Sequence, residues 1–66
     1  MKNKIRIERA ILDITQEELA QRTGVSRQTI HAIENNKYIP SAVLALKIAK
    51  VFGKSMEEIF ELDADD

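Results

Sequence analysis

At 66 residues the chain has the length of one domain, near the lower size limit for folding alone. It has no cysteine and a single histidine, which excludes disulfides, thiolate metal sites and any histidine-pair metal centre. The net charge of −1 is unevenly spread. Residues 1–40 carry seven basic and five acidic side chains, whereas residues 41–66 carry three basic and six acidic ones.

The amino-terminal part is therefore mildly basic and the end acidic, a weak pointer toward an anionic partner for the former. A chain this small has a thin core and no covalent staple, so self-association into a homodimer is expected. The longest apolar run, residues 42–46, ends at Lys47 and is too short for a signal-peptide core or a membrane span. A cytoplasmic location without membrane contact is expected.

The first helix is expected over residues 3–13, capped by Asn3. Ile5 and Leu12 mark one apolar stripe, and Ile7, Ile11 and Ile14 a second, so this helix should pack on more than one side. The alternation from Asn3 to Ile7 also permits a strand, which the helical spacing that follows outweighs. Thr15 and Glu18 form a capping-box pair opening a helix over 16–23, with Glu17 and Glu18 suited to the positive end of its dipole. Gly24 can end it in the left-handed conformation.

A third helix is expected over 26–35, and it starts differently. Ser26 is a good cap, but Arg27, Gln28 and Thr29 follow with no acid among them. A helix end that lacks its own acids is suited to an external anion. Asn35 through Pro40 then form a polar loop. Ser41 caps a fourth helix that runs to Phe52 and stops at Gly53, with Leu44, Ala45, Ile48 and Phe52 inward. Val43, Leu46 and Val51 are more apolar surface than one face requires. Ser55 and Glu58 make a second capping box on a short fifth helix, with Ile59 and Phe60 beneath it. The acidic tail, residues 61–66, is expected to fray. Leu62 suits a short extended segment or a contact with a second copy.

In residues 16–35, QEELAQRTGVSRQTIHAIEN, the residues Leu19, Ala20, Ile30 and Ile33 face inward, and Val25 closes the corner. Ala20 lets the two helices approach closely. This is a helix-turn-helix signature. With Ile30 and Ile33 inward, Arg27, Gln28, His31 and Asn35 fall on the opposite side. A polar helix face is commonly only solvated. Here arginine and glutamine are the side chains that pair with guanine and adenine edges, in a frame that presents them to a groove. His31 suits a base or phosphate, and its imidazole would add charge, and DNA affinity, in mild acid. Gln16, Ser26, Asn35 and Lys37 lie near helix ends, where phosphates pass in this docking mode, and capping or solvation is their plain alternative; Thr29 stands with Arg27 and Gln28 in the acid-free first turn suited to a DNA phosphate. Arg9 is a candidate partner for Glu34, a structural ion pair. The paired acids at 17–18 and 57–58 are explained by helix starts, and no glycine-rich phosphate loop exists. No enzyme, cofactor, metal or small-molecule effector is expected.

The pattern ITQEELAQRTGVSRQTIHAIENNKYIPS, followed by LALKIAKVFG and EEIF, resembles the Cro and phage-repressor type of helix-turn-helix regulators, the XRE family, in its short stand-alone form. The resemblance spans nearly the whole chain. It implies an all-α, five-helix, lambda-repressor-like domain over 1–66, with a short extended segment permitted at the termini. It further implies a repressor acting as a homodimer on a palindromic operator in double-stranded DNA, its third helix in the major groove. By position, Arg27, Gln28 and His31 align with base-facing residues, Gln16 and Lys37 with phosphate-contacting ones, and Arg9 and Glu34 with a structural ion pair. Glu8 departs from the family by standing where an apolar residue is usual, and Ala42 and Val43 replace a leucine and a polar residue. The alternative is a protein-binding module of the same fold, an antitoxin or adaptor, using Ile7, Ile11, Val43 and Val51.

Overall fold

A computed structural model describes residues 1–66. Its elements are β1 (Lys2–Asn3), α1 (Ile5–Leu12), α2 (Gln16–Thr23), α3 (Arg27–Glu34), α4 (Ala42–Phe52), α5 (Met56–Ile59) and β2 (Phe60–Glu61). The five-helix, all-α architecture is therefore present, with strands confined to the ends. β1 and β2 pair antiparallel, with Lys2 opposite Glu61 and Asn3 opposite Phe60.

Thirteen buried apolar residues form one core, to which every helix contributes: Ile5 from α1, Leu19 and Ala20 from α2, Ile30 and Ile33 from α3, Leu44, Ala45, Ile48, Ala49 and Phe52 from α4, and Ile59 from α5, with Ile14 before α2 and Phe60 of β2 completing it. Each isoleucine or leucine fully withdrawn from water contributes about 1.5–3 kcal/mol, which is why so few residues suffice. α2 ends at Gly24, whose φ of 76° is open to glycine at no steric cost. Ser41 and Ser55 cap α4 and α5 through the backbone N–H of Leu44 and Glu58, and at α5 the Glu58 carboxylate also accepts from the Ser55 N–H, completing the box.

Four local expectations are corrected. α1 starts at Ile5, not residue 3, and no side chain caps it at Lys4. Asn3 belongs to the strand pair instead, although its Oδ1 accepts the Ile5 N–H at 3.2 Å. Thr15 accepts the Glu18 N–H at 3.0 Å, but Glu18 does not return the bond, so only half a capping box forms. Within this chain α1 packs on one side only: Ile7 and Ile11 are 60% and 67% exposed. The tail does not fray. Glu61 is in β2, the Met1 ammonium lies 3.0 Å from Asp63 and 3.1 Å from Asp66, and Asp66 accepts the Asp63 N–H.

No helix of the structure is long and apolar enough to cross a membrane.

Candidate nucleic-acid interface

α3 is fixed by its apolar side. Ile30 and Ile33 are buried, and that rotation leaves Arg27, Gln28, His31 and Asn35 exposed. Ser26 caps the helix by accepting the Thr29 N–H at 3.2 Å, and its hydroxyl lies 3.0 Å from that of Thr29. The first turn carries no acid, and Arg27 takes part in none of the ion pairs. The helix thus presents free backbone N–H groups and an unneutralised guanidinium at one end, a combination suited to phosphate and base-edge acceptors. Thr29 is half-buried against Ser26 and stands apart from that row.

Three of the polar residues are brought together at the middle of the face. His31 Nδ1 lies 3.4 Å from the Gln16 amide nitrogen, and His31 Nε2 lies 3.2 Å from that of Asn35. The Asn35 amide also donates to the His31 carbonyl at 2.8 Å. Both ring nitrogens thus face N–H groups. Lys37 is exposed on the loop after α3, with its backbone N–H on the Ala32 carbonyl, and stands outside this cluster.

Behind the face lies Glu34, whose side chain is only 1% exposed. Arg9 from α1 donates to both of its oxygens, from Nε to Oε1 and from its terminal nitrogen to Oε2 at 3.2 Å. Gln16 from α2 donates to Oε2 at 2.8 Å, and Arg6 stands 3.9 Å away. Burial pushes the Glu34 carboxyl upward. The hydrogen bonds from Arg9 and Gln16, with the charges of Arg9 and Arg6, outweigh that and hold it below the ordinary carboxylate value. One carboxylate therefore joins α1, α2 and α3 directly under the exposed row.

Three contacts around this frame were not legible from the sequence. Thr23 is buried, and its hydroxyl donates to the Leu19 carbonyl at 2.8 Å. Glu8 is buried as well and accepts from Lys54 at 2.8 Å, the hydrogen bond holding the lysine ammonium above its ordinary value. Its place in an apolar stripe was the available signal. Asn3 donates to the Ile33 carbonyl at 2.8 Å, tying β1 to the last turn of α3.

The helix-turn-helix family matches residues 5–59 of the chain. Over its whole length the chain is 56% identical to an HTH-type transcriptional regulator of Methanocaldococcus jannaschii, which it covers completely. It is 47% identical to the HTH-type transcriptional regulator YgzD of Bacillus subtilis, again end to end in both. A similar regulator of Methanothermobacter thermautotrophicus is 52% identical, covering 98% of this chain and 96% of the relative. By fold, by the composition of α3 and by these matches, the chain belongs to the XRE-type helix-turn-helix family of transcriptional regulators.

Proposed function

We propose that the protein is a sequence-specific regulator of transcription that acts as a repressor. Two copies would bind a palindromic operator in double-stranded DNA, each placing α3 in a major groove, with the two reading helices about one helical turn (~34 Å) apart. Arg27, Gln28 and His31 read base edges. Ser26, Asn35 and Lys37 hold the phosphate backbone together with Gln16, which offers its backbone N–H because both N–H groups of its side-chain amide are turned to Glu34 and His31, and Thr29 supports the Ser26 end of the helix. Occupancy of the operator blocks polymerase. The carrying observation is the start of α3, which combines an acid-free first turn with an exposed, unpaired Arg27. No catalytic step, cofactor or small-molecule effector enters this reading, and it places the protein in the cytoplasm with the DNA.

The test is selection from a random duplex library at near-physiological salt. A recovered palindrome with half-sites one turn apart supports the reading. An unordered pool whose binding fades as salt rises leaves only phosphate attraction.

A second reading, a protein-binding module, draws on the exposed Ile7, Ile11 and Val43. Val51, which it would also use, is half-buried against the core. A large interface insensitive to salt would favour this alternative.

A further inference from the structure

The orientation of both amides around His31 is dictated by chemistry. Gln16 must turn its nitrogen to the Glu34 carboxylate, since its carbonyl would be repelled there, and Asn35 must turn its nitrogen to the His31 carbonyl for the same reason. Each then aims a second N–H at the imidazole, one at Nδ1 and the other at Nε2. A neutral imidazole carries one N–H and has one accepting nitrogen, so it can satisfy only one of them. The two sides are unequal. The Gln16 amide is held by a charge-assisted bond to a carboxylate that Arg9 locks from α1, whereas Asn35 is exposed and anchored on a neutral carbonyl of its own helix.

We propose that Glu34 is a positioning residue for base reading: through Gln16 it keeps His31 Nδ1 as an acceptor, so that Nε2 carries the proton and offers an N–H to the groove. Asn35 is the partner that yields, freeing its amide for DNA. His31 then selects a base edge with an acceptor, such as N7 or O6 of guanine, N7 of adenine or O4 of thymine. This rests on the DNA-reading function proposed above, and it gives the buried ion pair a part in specificity as well as in folding.

Two measurements test it. The first needs no DNA. As the only histidine, His31 gives one set of imidazole signals in long-range proton–nitrogen spectra of nitrogen-15-labelled protein. In the free wild type Nδ1 should show the shift of a hydrogen-bonded acceptor, lost alike in Gln16→Met and in Glu34→Gln. An Nδ1 that carries the proton in wild type, or signals unchanged by Gln16→Met, would overturn the proposal. The second compares affinities for the selected operator and for its single-base variants. Gln16→Met and Glu34→Gln should each lower discrimination at one base pair per half-site by about fivefold, at the pair affected by His31→Ala. Neither should lower it further in a His31→Ala background. Arg9→Lys, which leaves Gln16 its acceptor, should lower stability while discrimination stays. Unchanged discrimination in a folded Gln16→Met protein sinks the relay even if Glu34→Gln does not fold. A wild type that discriminates between no duplexes refutes the DNA-reading function instead, and the spectra still decide the relay.

Discussion

Lys54 Nζ donates to Glu8 Oε2 at 2.8 Å, clasping α1 to the turn between α4 and α5 across 46 residues of chain. The glutamate side chain is buried and the lysine is partly open to water. Losing the lysine alone therefore strands a carboxylate inside the protein, whereas losing both strands nothing. Lys54→Met should lower the urea midpoint more than Glu8→Leu/Lys54→Met does. A larger loss in the double variant would mean that the pair itself is net stabilising.

The same reasoning applies to Arg9 and Glu34 with a larger expected effect, because the carboxylate serves two donors. Glu34→Ala should cost about 2 kcal/mol, less than for a fully buried pair because Arg9 keeps some access to water. The Arg9→Leu/Glu34→Leu variant should cost less than Glu34→Ala. Urea denaturation of both checks the order, and the reverse order would identify a minor surface contact.

Acid should destabilise the fold in a definite direction. Glu34 titrates below its ordinary value, so in the window between the two values the unfolded chain binds the proton and the folded chain does not. Stability from this group is fully present above the ordinary carboxylate value and disappears as pH falls through the lower folded one. Glu58 adds in the same sense, lowered by its bonds from Ser55. Thermal midpoints followed from pH 6 downward should fall, and Glu34→Gln should flatten the slope. A slope unchanged in Glu34→Gln would remove Glu34 as its source.

On DNA, base and phosphate contacts should separate by how they fail. Arg27→Ala should cost ~1–3 kcal/mol on the preferred operator and relax selectivity at one base pair in each half-site. Lys37→Ala should weaken all sequences alike and reduce the salt slope by about 1. Uniform weakening by Arg27→Ala would reassign it to the backbone.

Helix order, the caps at Ser26, Ser41 and Ser55 and the buried faces of α3 and α4 were legible in the sequence because each is a local pattern: a cap, a period, a glycine stop. What escaped depends on partners distant along the chain. Asn3 resembles a helix cap until Phe60 comes alongside, and Glu8 resembles a misplaced charge until Lys54 meets it. The tail shows the same limit, since its acids suggest repulsion until the chain start supplies cations. At the interface, the row on α3 followed from helical spacing. That Gln16 turns inward to Glu34 did not, because a residue at a helix start can face solvent or core with equal ease.

The terminal ladder also has a consequence for the order of folding. It joins Lys2 to Glu61, whereas α2 and α3 meet across a turn of a few residues. Closing the longer loop carries the greater entropic penalty, so the helical pair should form first and the chain ends should meet last. Because Asn3 reaches the Ile33 carbonyl from that ladder, the trailing end of α3 acquires its final anchor only in the closing step. In native-state hydrogen exchange, the amides of residues 2–4 and 60–61 should open together and before those of Leu19 and Ile30. Opening of the ladder would loosen α3 from its far end while its Ser26 cap stays in place.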